Sequence, residues 1–189
     1  MQFLEIFVTV TGLIYLVLEI RQGRWMWLMN IVSCASAAVM FGLKSIWANL
    51  GLNVLYCVMS VWGIILYSRD RQQAGNGDEI RLRRLPSGIL WASASIALSG
   101  GCILVALLSK TGDPAPVFDG IIGILGITGT WWLAKSYAEN WIIWILTDAL
   151  CTLMCLLQGV YWVALMYFVY TIASVYGYFN WKRKGQYLD

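Results

Sequence analysis

The chain has 189 residues, of which 60% are hydrophobic and only 12% charged. Soluble domains carry about 25% charged residues, and the mean hydropathy here is +0.69, so a water-soluble globular protein is excluded. The net charge of +3 is small, and where its residues fall along the chain decides what it means.

Seven long apolar runs follow one another: Phe3–Ile20, Trp25–Phe41, Ile46–Tyr67, Gly88–Leu108, Val117–Ala134, Trp141–Leu157 and Val160–Trp181. At about 1.5 Å per residue each approaches or exceeds the roughly 30 Å of membrane hydrocarbon. The expected fold is therefore an all-α membrane protein of seven transmembrane helices. The second and sixth runs are short, which suits nearly upright helices or helices buried by neighbours. The first run lacks a basic leader and a small-residue cleavage site, so it reads as a retained helix. Stretches of alternating polarity, as a membrane β-barrel needs, are absent. All five cysteines (Cys34, Cys57, Cys102, Cys151 and Cys155) lie inside the runs. With no histidine in the chain, they read as small buried hydrophobes rather than metal ligands, and neither metal nor cofactor is expected.

The basic residues divide unevenly between the two ends of these runs. Arg21, Arg24, Arg69, Arg71, Arg81, Arg83, Arg84, Lys135, Lys182, Arg183 and Lys184 fall on one side, and only Lys44 and Lys110 on the other. By the positive-inside rule the N-terminus is outside and the C-terminus in the cytoplasm, as in a protein of a bacterial inner membrane. The Arg-rich loop from Arg69 to Arg84 lacks interleaved aromatics and faces a membrane, so nucleic acid is not an expected partner.

Sliding the chain by 114 residues lays the first three runs on the last three without a gap, with 11 identities in 65 positions. Gly12 meets Gly126, Trp27 meets Trp141, Tyr56 meets Tyr170, Ser60 meets Ser174, Gly63 meets Gly177 and Arg69 meets Arg183. The expected organisation is 3+1+3: a first three-helix bundle (1–69), a cytoplasmic loop and linker helix (70–109), and a second three-helix bundle (110–189). The odd linker helix makes the repeats parallel, an arrangement of carriers that bind substrate between repeats near the bilayer midplane.

Ionisable groups at bilayer depth are costly and mark function or a partner. Asp148 lies eight residues into the sixth run, and Trp141 and Trp144 precede it by seven and four residues, spacings that share one helix face. Two indoles beside a carboxylate suit a flat aromatic cation. The alternatives are an interfacial belt role for Trp141 and a helix-to-helix hydrogen bond for Asp148. Asn53 and Tyr170 also reach mid-membrane depth, where bonding between helices is the competing role. Asn30 occupies the first-repeat position of Trp144, and Cys34 that of Asp148. Asp119 and Glu5 lie near the outer surface, where both can be solvated. The candidate substrate-binding set is Trp141, Trp144, Asp148, Asn53, Tyr170, Asn30 and Asp119.

The run Glu139-Asn140-Trp141-Ile142-Ile143-Trp144, then Asp148, then Leu157-Gln158-Gly159-Val160-Tyr161, resembles the PnuC family of vitamin transporters. Members of that family carry an E-N-W-x-x-W-x-x-x-N/D signature followed by a Q-G-x-Y turn. The resemblance extends through Glu5, Gly12, Glu19, Asn30, the Trp62-Gly63 pair and Asp119, over nearly all of the chain except Ser68–Ser87. It implies a SWEET-like fold and uptake of nicotinamide riboside by facilitated diffusion, with trapping by a cytoplasmic kinase. It also implies a homotrimer. Trp141 and Trp144 match the tryptophan pair associated with the pyridinium substrate, whereas Asp148 stands where the riboside transporters carry Asn. Thiamine, also an aromatic cation, is the alternative substrate, and a neutral flavin fits the carboxylate less well.

Competing classes find less support. No loop nucleophile with a base, and no set of metal ligands, suggests a membrane enzyme. A retinal photoreceptor would need a lysine inside the last helix, and Lys182 lies only at its end. A proton-coupled carrier using Asp148, or a membrane protein that only binds partners, remains open at this stage.

Overall fold

A computed structural model describes residues 2–23, 25–43, 47–74, 80–110, 115–157, 159 and 161–188. Arg24, Lys44, Gln158 and Val160, and the side chains of Glu5 and Arg71, lie outside that description. The described residues form seven α-helices: α1 (Gln2–Ile20), α2 (Met26–Leu43), α3 (Trp47–Ala74), α4 (Ser87–Leu108), α5 (Pro116–Ala134), α6 (Asn140–Leu157) and α7 (Tyr161–Lys184). Two short strands, β1 (Arg81–Leu82) and β2 (Gln186–Tyr187), pair in parallel.

Five of these segments are long and apolar enough to cross a membrane: Met26–Leu43, Leu50–Arg69, Ser87–Leu108, Pro116–Ala134 and Asn140–Leu157. Ile6–Ile20 is a shorter apolar helix. Large apolar side chains face outward along the helices, with Leu98, Trp91, Ile96 and Phe179 each more than half exposed. The interior by contrast holds Glu19, Ser60, Asn140 and Ser174 nearly or wholly buried. That inversion is what a lipid solvent selects, since apolar side chains there need no shelter and polar groups do. Hydroxyls within the helices bond back to the carbonyl one turn earlier, as in Ser95 to Trp91 and Thr152 to Asp148, so they are satisfied without water.

Helix α1 packs on α2 and α2 on α3, while α5 packs on α6 and α6 on α7. Helix α4 lies against α5, and α1 packs on α7 and α3 on α5 across the triplets. Within each triplet a tryptophan lies flat against a glycine. A Cβ on Gly63 would meet the Trp27 ring at 2.5 Å, and one on Gly177 would meet the Trp141 ring at 2.6 Å. Only glycine lets these helices approach so closely.

Helix α3 runs on to Ala74 and α7 to Lys184, past the apolar limits expected at Tyr67 and Trp181. The basic last turn of α7, Lys182 to Lys184, complements the negative end of the helix dipole and keeps the chain helical beyond the hydrocarbon. The expected loop between α3 and α4 is not all loop. Its segment Ile80-Arg81-Leu82-Arg83 is extended, with Ile80 and Arg81 buried, Leu82 wholly enclosed and Arg83 half-buried. It sits at the basic end of the bundle in a core cluster with Met26, Trp27, Leu133, Trp141 and Trp181.

Candidate functional site

A cavity of about 240 Å³ lies among the triplets, at the small end of ligand-binding volumes and sized for one small molecule. Helix α1 contributes Gly12, Tyr15, Leu16 and Glu19, spaced three and four apart as one helical face requires. Asn30 of α2 and Tyr56 of α3 complete the first-triplet wall. Thr130 of α5, Trp144 and Asp148 of α6, and Tyr170 and Ser174 of α7 form the other.

The geometry at the acidic groups is specific. The Trp144 indole Nε1 donates to Glu19 Oε1 at 3.0 Å, a bond that joins α6 to α1 across the two triplets. Tyr15, one turn earlier on α1, interacts with the same carboxyl group. The Ser174 hydroxyl donates to Asp148 Oδ2 at 3.3 Å. Asn30 donates through Nδ2 to Ser60 Oγ at 2.9 Å, and its Oδ1 accepts from the Cys34 thiol. Ser60 and Ser174, 114 residues apart, thus each hold a polar side chain of the preceding helix near the cavity wall.

Of the seven residues expected from sequence, four line this cavity: Asn30, Trp144, Asp148 and Tyr170. Trp141 does not. It is wholly buried one turn nearer the basic end, edge-on to Trp181 with ring centroids 5.5 Å apart and pressed on Gly177. Its place on the helix face is shared with Trp144, but its depth puts it in the core cluster. Asn53 on α3 and Asp119 in the first turn of α5 are half-buried and lie outside the cavity lining.

The cavity also contains groups that sequence reasoning did not place there. Glu19 is one, 2% exposed although it stands one residue from the end of α1. Tyr15 and Tyr56 are others. The Tyr56 hydroxyl lies against Gly126, where a Cβ would collide with it. The signal available in sequence for Glu19 was its helical phase with Gly12 and Tyr15.

The arrangement offers four aromatic side chains, two carboxyl groups and several hydroxyls. No Lys or Arg is among the described lining residues. Among the described residues no group of three or more His, Cys, Asp or Glu is placed to hold a metal ion.

Comparison with known proteins bears on this site. Residues 2–183 match the family described as nicotinamide mononucleotide transporter. The nicotinamide riboside transporter PnuC of Escherichia coli (strain K12) is 21% identical over 201 residues, covering 94% of this chain and 84% of that protein. The protein of the same name from Neisseria mucosa is 23% identical over 188 residues, covering 92% and 70%. The crystal structure of the vitamin B3 transporter PnuC superposes with a TM-score of 0.73 at 23% identity, over 93% of this chain and 79% of that one. A family match over almost the whole chain, on a helical membrane fold with a buried acidic and aromatic cavity, makes this chain a member of the nicotinamide mononucleotide transporter family.

Proposed function

We propose that the chain takes up nicotinamide riboside, held as an aromatic cation between the two helix triplets. The observation that carries this is the cavity wall, which presents the Trp144 indole beside the Glu19 and Asp148 carboxyl groups with no described basic partner. A pyridinium ring stacks on an indole and is attracted by its face, and the carboxyl groups offset its charge in a dry site. The hydroxyls of Tyr15, Tyr56, Tyr170 and Ser174 suit a ribose. The same wall argues against the mononucleotide of the family's description. A phosphate monoester would bring close to two negative charges to two carboxyl groups, with no described cation in the lining to receive it.

The reading extends to architecture and topology. Contacts of α1 with α7 and of α3 with α5 are what a parallel 3+1+3 repeat of SWEET-like type produces at its seam, because α5 and α7 repeat α1 and α3. Bundles at 1–69 and 110–189, joined through 70–109, follow from it. All seven helices then cross the membrane, with the N-terminus outside and the basic end in the cytoplasm. Uptake runs by facilitated diffusion, with phosphorylation in the cytoplasm trapping the product, and the assembly is a homotrimer, as the family resemblance implies.

The test is calorimetric binding of nicotinamide riboside, its mononucleotide and thiamine to the purified protein and to Asp148→Ala. The riboside is expected to bind, the mononucleotide to bind at least about tenfold more weakly, and Asp148→Ala to lose riboside affinity. Equal affinity for riboside and mononucleotide would overturn the charge argument. Tight thiamine binding without riboside binding would favour the second substrate, which the two carboxyl groups also suit.

A further inference from the structure

Directly beneath the cavity, at the basic end, the segment 80–83 crosses from one triplet to the other and is fastened to both. On the first-triplet side the Gln22 side chain pairs with the backbone of Arg81. Its Nε2 donates to Arg81 O at 2.9 Å, and Arg81 N donates to Gln22 Oε1 at 2.6 Å. On the second-triplet side Arg83 N donates to Ser136 O at 3.0 Å. Gln22 and Ser136 are 114 residues apart, and both are non-glycine residues with positive φ, 49° and 59°. The same turn conformation at the same repeat position therefore grips the segment from each half. Such backbone conformations cost free energy and persist where surrounding contacts require them.

The two fastenings are unequal. The second triplet also holds the segment by the β1–β2 pairing, in which Gln186 N donates to Ile80 O and Leu188 N to Leu82 O, both at 2.7 Å. The Leu82 side chain packs where a Cβ on Gly185 would collide with it. The first triplet holds the segment through Gln22 and through shared apolar packing with Met26 and Trp27. The wholly buried Leu82 and the nearly buried Ile80 plug a seam walled by Trp27 on one side and Leu133, Trp141 and Trp181 on the other. The plug sits next to the site, because the Trp181 indole Nε1 donates to the backbone carbonyls of Glu19 and Ile20, and Asn180 Nδ2 also donates to Ile20 O.

We propose that residues 80–83 are a strap that travels with the second triplet, latched to the first by Gln22, and that this latch must open for substrate to leave the cavity toward the basic end. Among the described residues, the bonds at Gln22 are two of one side chain, whereas those on the other side include three backbone bonds and a paired sheet. Gating by separating two packed bodies at a small set of contacts is a common transporter and enzyme device. The chemical identity of the cargo comes from the riboside reading, but the strap itself does not depend on it.

The experiment joins Gln22→Cys to Arg81→Cys with a short bis-methanethiosulfonate, which forms a disulfide with each thiol, releases methanesulfinate and is cleaved by a reductant. The five native cysteines are replaced by serine, and the protein is reconstituted in proteoliposomes. Cross-linking is expected to lower riboside uptake at least about tenfold, with recovery on cleavage of the linker, while calorimetric affinity stays within about twofold. Uptake that continues unchanged when cross-linked would overturn the proposal, as would loss of binding together with uptake, which would make the segment part of the site. A second measurement needs no substrate. Ser174→Cys is labelled by a membrane-impermeant thiol reagent applied from the basic side, with and without Gln22→Ala. Labelling several-fold faster in the unlatched protein is expected, and equal rates would refute the latch. If riboside fails to bind at all, the substrate reading falls and the labelling comparison still decides the strap.

Discussion

Replacing Glu19 by Leu and by Gln separates two things the residue does. Its Oε1 accepts the Trp144 indole N–H at 3.0 Å in a place where Glu19 is only 2% exposed. Glu19→Leu keeps the bulk and removes the acceptor, leaving a donor unpaired away from water at a cost of about 1–3 kcal/mol. If that cost falls on the ring position the ligand requires, it corresponds to a loss of about 5- to 150-fold in affinity. Glu19→Gln keeps an oxygen acceptor for the indole and removes only the acid. The expected pattern is that Glu19→Leu weakens both nicotinamide riboside and its uncharged dihydro form, while Glu19→Gln weakens the cation and spares the neutral ring. Calorimetry on detergent-purified protein reads both ligands, and a thermal unfolding scan on the same samples guards against loss of the fold. Equal effects of the two substitutions on both ligands would refute the anchoring of Trp144, and no effect of either would remove Glu19 from the site.

Other expectations follow from the same contacts. Gly177→Ala and Gly63→Ala each place a Cβ within 2.8 Å of an indole ring, so each should cost about 1–3 kcal/mol by overpacking, visible as a lowered detergent unfolding midpoint; a neutral result at either would show that the helices separate freely. Gly126→Ala collides with the Tyr56 hydroxyl, so Tyr56→Phe should recover part of its stability loss, and a double-mutant cycle with no coupling would contradict that contact. Orientation is tested by fusing a periplasm-dependent phosphatase after Asp189: it should be inactive, and an active fusion would invert the assigned topology.

The seven helices were legible because lipid leaves few ways to satisfy a backbone, so an apolar run of sufficient length states its own structure. Helix limits were read from apolarity; α7 exceeds its limit because a basic terminal turn continues a helix in water as well as in lipid, and α3 runs on through the polar stretch 68–74. The candidate site was half legible. Asp148 announced itself by being charged at depth, and Trp144 by its spacing from it. Trp141 shares that spacing, yet its neighbours Gly177 and Trp181 are 36 and 40 residues away in sequence, and spacing along one helix cannot reveal which level of the bundle a ring occupies. Glu19 was not singled out because it stands one residue from the end of α1, where a charge can reach water. The strap was written in the alternation of Ile80, Arg81, Leu82 and Arg83, a period-two pattern of the kind strands show, but it is short and lies in an Arg-rich loop whose charge dominated its reading.

With the two triplets taken as the proposed repeats, positions 114 residues apart carry unmatched chemistry, and that asymmetry locates the work. Leu16 faces the cavity where the second triplet has Thr130, and Asn30 where it has Trp144. At the level of Glu19 the second triplet carries Leu133, which lies in the core cluster instead. Within the first triplet a single stretch, residues 19–22, carries a cavity carboxyl group, the carbonyls that accept from Asn180 and Trp181, and the Gln22 grip on the strap. In the second triplet the matching stretch grips the strap only through a backbone carbonyl and offers the cavity no acid. A ligand that draws the Glu19 side chain toward itself therefore acts on the same turn of chain that holds the basic end shut. The end of α1 is thus the place in the fold where occupancy of the cavity and closure of its exit meet in contiguous residues, as coupling between a site and a gate requires.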